Sequence, residues 1–300
     1  MNSLIFACLV DSDDSKHKAL ILAKSIRKFA GTLSNSPIWV LIPDTDYKIP
    51  TKMKEQLRPL DVQLIPFSVN QKVLKFPFAG VVFAAATVES LAMEKSELLA
   101  WLGTDTIVIN EPKDMLLSEH KNLGYRPVHH TLVGSIYEES IDPFWELVYQ
   151  MCNVPEEKIF PMKTHVDGKI LRPYFNAGFL IVRPEKGLLQ SWWDRFKELY
   201  RNPAFKRFYQ KNRLYSIFIH QVVLTGIILS KMQKEELQEL PFTYNYPLHL
   251  FDESPSEYRP QTINDLITAR FEEPETFNKI PLHEPLKSWI HEQLSKDFLS

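Results

Sequence analysis

At 300 residues, 44% hydrophobic and 24% charged, the chain is long enough to bury the core of one large α/β domain or two ordinary ones. A formal net charge of −2 gives no electrostatic reason to expect nucleic acid or an anionic membrane as partner. Its two cysteines, Cys8 and Cys152, cannot form a disulfide framework, so a reducing cytoplasm is expected, with Cys8 a small core residue in an apolar run. The opening residues MNSLIFACLVDSDD show no basic leader. The apolar run Phe78 to Val88 is well short of the ~20 residues of a membrane helix, so no transmembrane segment is expected.

Leu4 to Val10 is continuously apolar, the pattern of a strand buried on both faces. Asp11-Ser12-Asp13-Asp14-Ser15 then offers several N-caps to a helix at about His17 to Phe29, apolar on one side and basic on the other. A second strand at Ile38 to Ile42 is stopped by Pro43, a short helix is expected at Lys52 to Leu60, and Val62 to Phe67 makes a third strand. Alternating strands and helices with short loops predict a parallel sheet covered on its faces. Phe78 to Ala92 predicts a helix rich in alanine whose one charge, Glu89, belongs on a solvated face. A strand pair follows over Leu98 to Ile109.

Within THVDGKIL, Asp167-Gly168 is a two-residue hairpin signal, so an antiparallel insertion beside the parallel sheet is predicted. An apolar strand at Phe179 to Val182 leads to helices at Gly187 to Arg201 and Ile219 to Leu229. The last fifty residues are proline-rich, with an amphipathic helix at about Glu284 to Leu294. No repeat, low-complexity tract or flexible linker interrupts the chain, so residues 1–300 are expected to form one domain, with 250–300 as a wrapping tail.

The most informative stretch is LLAWLGTDTIVINEP, Leu98 to Pro112, where two apolar runs flank a polar knuckle at Gly103, Thr104, Asp105 and Thr106. A carboxylate where a buried strand leaves the sheet is placed to meet a ligand, because the crevice of an open α/β sheet lies beyond the carboxyl ends of its strands. The knuckle resembles the strand-DxD-strand signature of nucleotide-sugar glycosyltransferases, with Gly103 in place of the first Asp. FACLVDSDDSKHKALILAKSI, WLGTDTIVINEP, YFNAGFLIVRP and IHQVVL occur in the order seen in glycosyltransferase family 8, the group that includes glycogenin, and LPFTYNYP is similar to the approach to its closing strand. FNAGFLIVRP is the most specific piece, and the resemblance covers most of the chain.

The resemblance implies a GT-A fold, an α/β domain with a mixed, mainly parallel central sheet flanked by helices. It implies glycosyl transfer from a nucleotide-diphosphate sugar to an unnamed acceptor. Val10 and Asp11 would flank the base, Gly103, Thr104 and Asp105 would lie by the ribose and diphosphate, and Asn176, Ala177, Gly178, Gln221 and His220 would meet the donor sugar. His129 or His130 would line the acceptor side. The resemblance implies retention at the anomeric carbon, which the altered Asp-Gln site leaves open.

The chemistry explains why carboxylates matter here. A nucleoside diphosphate gains negative charge as the anomeric bond breaks, and a divalent cation held by paired carboxylates usually offsets it. Three positions of that apparatus differ: Gly103 in DxD, His220 before Gln221 where relatives have Asp, and Ala269-Arg270 where the late metal-binding His would fall. A manganese or magnesium ion on Asp105 therefore stands beside a metal-independent reading, in which Arg270, with Lys75 or Arg172, supplies the positive charge through a fork of donors that matches phosphate. A degenerate sugar-nucleotide-binding or scaffold protein is the alternative of another class. A third reading is a metal-dependent hydrolase built on His129, His130, His165, Asp167, His220 and His249. It lacks HxxxH or HExxH spacing, and two adjacent His on a strand would face opposite ways. No GxGxxG or GxxxxGK[ST] segment occurs, which makes the chain a poor candidate for a Rossmann dehydrogenase or nucleotide triphosphatase.

Overall fold

The computed structural model describes residues 2–44 and 49–297. In chain order it contains β1 (Asn2–Leu9), α1 (Asp13–Phe29), β2 (Ile38–Pro43), α2 (Thr51–Leu57), β3 (Val62–Phe67), α3 (Gln71–Leu74), α4 (Ala79–Ala92), β4 (Ser96–Leu102) and β5 (Thr106–Val108). β6 (Leu123–Pro127), α5 (Pro143–Cys152), β7 (Met162–Lys163), β8 (Ile170–Leu171), β9 (Phe175–Val182), α6 (Leu188–Leu199), α7 (Pro203–Lys211) and α8 (Arg213–Lys231) form the middle of the chain. β10 (Leu237–Glu239), β11 (Tyr246–Pro247), β12 (Thr268–Arg270) and α9 (Leu286–Asp297) complete it.

Seven strands form the main sheet in the order β10-β6-β9-β4-β1-β2-β3. All run parallel except β9, which is antiparallel to both neighbours, β4 and β6. The sheet is mixed and mainly parallel, as expected. Alternate residues of β1 serve opposite faces: Ile5, Ala7 and Leu9 join the core under α4, α6 and α8, whereas Leu4, Phe6 and Cys8 join the core under α1. Helix α1 starts four residues earlier than its apolar pattern, because Ser12 and Ser15 close a reciprocal capping box there.

The strand pair around the knuckle is not a simple hairpin. β4 stays in the main sheet, while β5 leaves it to pair antiparallel with β12, which pairs in turn with β11. This puts Arg270 opposite Thr106. The C-terminal stretch also packs on α1: Ile263, Leu266, Phe277 and Ile290 share a core with Ile21 and Ile107, and Trp289 meets Phe29 edge to face at 5.0 Å.

Several expectations are corrected. Glu89 is 1% exposed rather than solvated, and its carboxylate accepts from Leu189 N and Gln190 N at 3.0 and 2.8 Å. Gly187, which opens α6, has no side chain with which to cap it, so α4 supplies the acceptor across the interface. The Asp167-Gly168 turn is not a two-residue hairpin: the β7–β8 ladder closes at Lys163 and Ile170, and Asp167 instead accepts from Thr131 N and Oγ1 and from Thr164 Oγ1. His129 and His130 lie in a bend after β6 rather than on the strand. The last long helix, α8, begins at Arg213, six residues before its apolar run, where Asn212 caps it by accepting from Leu214 N. Among the described residues α8 is the one helix long and apolar enough to cross a membrane, and most of it is buried inside this fold.

Candidate functional site

A cleft of about 620 Å³ opens at the carboxyl ends of β1 and β4 and the amino end of the antiparallel β9. Its lining brings together Asp11, Gly103, Thr104, Asp105, Ala177, Gly178, His220 and Arg270, all named by the sequence, with Asp14, Ser15, Lys18 and Phe78, which were not. Lys18 was hidden by periodicity, since a lysine on α1 reads as part of its basic face. In the fold it is 9% exposed and is held by Asp14 at 2.8 Å beside the cleft.

The knuckle is fixed from two directions. Gly103 N donates to Gly178 O at 2.8 Å, locking the end of β4 to the FNAG segment, and Phe271 N donates to Asp105 O at 3.0 Å. Arg270 then reaches the Asp105 side chain, with Nε and Nη2 both donating to Oδ2, at 2.8 and 2.5 Å. Burial alone would pull the Arg270 pKa down, but the Asp105 charge and its hydrogen bonds, with Glu272, raise it. A Cβ on residue 103 would stand 2.5 Å from Asp105 Oδ1, so the carboxylate uses the space that glycine leaves.

This arrangement does not fit the usual cation cage. Asp105 gives one oxygen to a guanidinium, position 103 has no carboxylate, and no group of three His, Cys, Asp or Glu among the described residues could hold an ion. The same finding removes the basis for a histidine-built hydrolase. His129 Nε2 lies 3.2 Å from Asn245 O, His130 lies 3.8 Å from Glu253, and His249 lies 3.4 Å from Glu272. His165 pairs through Nδ1 with Arg126, and burial with the Arg126 charge pushes its pKa down to about 3. Burial and then the Arg270 charge hold His129 well below the usual imidazole range.

Asn176 and Gln221 serve the cleft floor from below. Gln221 Oε1 accepts from Ala177 N at 2.9 Å and Asn176 Oδ1 accepts from Gly178 N at 3.0 Å, so both side chains orient the FNAG backbone. His220 Nδ1 lies 2.8 Å from Ile217 O, and its ring stacks on Phe78 with centroids 4.3 Å apart. Burial lowers its pKa to about 4, so the ring is neutral near pH 7. Val10 is fully buried and lies outside the cleft lining, leaving Asp11 at this edge. Arg172 lies outside the cleft lining and braces the 135–139 loop through Ser135 Oγ and the carbonyls of Ile136 and Glu139. Lys75 is exposed and likewise lies outside the lining.

A doubly wound sheet with one reversed strand, and a cleft at its carboxyl edge where β4 meets a knuckle, give the α/β architecture of the GT-A type. Residues 6–231 match the Rhodobacterales glycosyltransferase domain, and the chain belongs to that family. Solved structures agree on the fold. A bifunctional glycosyltransferase, WbbM, in its apo form is 12% identical with a TM-score of 0.54, over 97% of this chain and 52% of that one. The galactosyltransferase LgtC, in complex with donor and acceptor sugar analogs, is 14% identical with a TM-score of 0.50, over 98% of this chain and 95% of that one. The glycosyltransferase GlyE of Streptococcus pneumoniae TIGR4 is 14% identical with a TM-score of 0.51, over 98% of this chain and 61% of that one. The chain thus spans about half of WbbM and most of LgtC. No curated protein matches its sequence.

Proposed function

We propose that the cleft binds a nucleotide-diphosphate sugar and that Arg270, with Lys18, carries the positive charge that faces the diphosphate. The supporting observation is the Arg270–Asp105 fork, which sets a guanidinium where the carboxylate of the knuckle would otherwise be open to a cation. In this reading Asp11 flanks the base, and Thr104 and Asp105 lie by the ribose and diphosphate. Ala177 and Gly178 lie beneath the sugar, with Asn176 and Gln221 positioning them. One of His129 and His130, both outside the cleft lining, is assigned to the acceptor side.

In the transfer, the bond between the anomeric carbon and the diphosphate oxygen breaks with its electron pair leaving on the diphosphate. A new bond forms to an acceptor hydroxyl, whose proton passes to the departing diphosphate. Fixed donors aimed at the developing charge lower the barrier to that departure. Arg suits the task because it stays protonated and presents parallel N–H donors. Magnesium carried on the diphosphate with its own waters needs few protein ligands, so the reading expects weak metal stimulation rather than strict dependence. The two cysteines are buried free thiols, in keeping with the proposed cytoplasmic setting.

Thermal-shift measurements with nucleoside diphosphates and their sugar conjugates, in chelator and then in manganese, test the donor assignment. Stabilisation by a sugar nucleotide in chelator, with transfer or donor hydrolysis in the same mixture, is the expected result. Stabilisation without turnover would instead make the chain a sugar-nucleotide-binding protein, and no response to any nucleotide would overturn the assignment.

A further inference from the structure

Phe78 is the one residue of the cleft lining with a positive φ. It opens α4 with φ 59°, a left-handed conformation that a bulky L-residue adopts only against a steric penalty. Its side chain makes no capping hydrogen bond, although Ser, Asp or Asn would satisfy a free N–H at this position. The residue is also 45% exposed, so the strain is not repaid by burial.

What the strain achieves is a ring placed on the cleft. One face of Phe78 lies on the His220 imidazole, with centroids 4.3 Å apart and planes inclined by 14°, and both residues line the cavity. His220 is itself firmly seated: Nδ1 lies 2.8 Å from Ile217 O, and its own carbonyl accepts from Trp192 Nε1 at 2.7 Å. The Nδ1 contact, to a group that can only accept, fixes the proton on Nδ1 and leaves Nε2 as the ring's acceptor.

We propose that Phe78, backed by His220, is the platform for the glycosyl group of the donor, a hexose-sized sugar attached to a nucleoside diphosphate. A sugar ring packs its C–H face on the open face of the Phe78 plane, which the His220 ring holds from behind. The sugar is favoured over the base by position. Phe78 and His220 come from α4 and α8 on one face of the sheet, whereas Asp11, Asp14 and Ser15, at the nucleoside end, come from the α1 side of the other. The proposal rests on the donor reading above and names the part of the site that distinguishes one sugar nucleotide from another.

The test compares wild type, Phe78→Gly and Phe78→Trp by calorimetric titration with uridine and guanosine diphosphates and with their hexose conjugates. Melting temperature is measured in parallel. Phe78→Gly is expected to bind the preferred diphosphate as wild type does, to lose about three- to tenfold in affinity for the conjugate, and to melt no lower than wild type because glycine accepts positive φ freely. Phe78→Trp should retain most of the conjugate affinity. Equal weakening of diphosphate and conjugate would assign the ring to the nucleoside and overturn the proposal. Unchanged binding of both would overturn it, as would a lower melting temperature in Phe78→Gly that accounts for the loss. Failure of wild type to bind any diphosphate or conjugate would instead remove the donor reading, and this platform with it.

Discussion

Arg270 and Asp105, 165 positions apart in sequence, are joined by two hydrogen bonds to a single carboxylate oxygen at the mouth of the cleft. The contact exists because β5 leaves the main sheet after the knuckle and takes β12 as its antiparallel partner, which sets Arg270 opposite Thr106. Both side chains are about a fifth exposed, at 26% for Arg270 and 17% for Asp105, so a ligand can reach the pair without unfolding anything. Exposed ion pairs contribute little to stability, but one that is mostly shielded and doubly bonded fixes the direction in which the guanidinium points.

Removal of Arg270 should separate charge from structure. Arg270→Ala is expected to lower turnover by roughly ten- to a thousandfold, on the order of 1–4 kcal/mol, by analogy with loss of one charge-stabilising donor. Arg270→Lys should recover only part, because a point charge cannot reproduce the fork. Donor affinity and turnover in chelator, magnesium and manganese provide the check. Abolition of activity by chelator together with a silent Arg270→Ala would show that a metal carries the charge.

Asp105→Ala should reduce donor binding while the protein stays folded, since the carboxylate lies at the cleft rather than in the core. It removes the anchor that aims Arg270, so affinity for the diphosphate should fall with affinity for the sugar conjugate. Calorimetry on the two ligands, with circular dichroism as the control for folding, measures this. Unchanged affinity would reduce Asp105 to a turn residue.

Gly103→Ala adds one methyl group at the tightest point of the knuckle. The new Cβ would stand 2.5 Å from Asp105 Oδ1, closer than real contacts allow, so the carboxylate must swing away and loosen its hold on Arg270. Donor affinity should drop by about tenfold, with little change in melting temperature. A variant as active as wild type would show that the exact placement of Asp105 is unimportant.

Glu89 gives a pH dependence far from the cleft. Burial, outweighing the backbone donors of α6, raises its pKa from 4.5 to about 7. Because the folded value lies above the unfolded one, the native state holds the proton more tightly. The stabilising contribution is full below about pH 4.5 and is lost as pH rises through about 7. Glu89→Gln should flatten this part of the profile, by up to a few kcal/mol of stability between pH 5 and 8. Denaturant unfolding of both proteins across that range tests it, and identical profiles would place the titration elsewhere.

Sequence pattern determined the architecture and pointed to the candidate site. Continuous apolar runs such as Leu4 to Val10 read directly as doubly covered strands, and the knuckle after Leu102 together with FNAG marked the carboxyl edge, because both signals are local. What each side chain does there was decided by tertiary structure. Glu89 looks solvated by composition and is buried, since only packing against α6 reveals the helix end it caps. Asn176 and Gln221 look like sugar ligands, and in the fold their side-chain oxygens hold backbone N–H groups, which depends on how α8 lies against β9. Phe78 reads as part of an apolar helix and sits exposed in a left-handed conformation over the cleft. Periodicity reports which face of an element is apolar, but a partner 165 residues away, as Arg270 is for Asp105, is chosen only when strands pair and side chains meet.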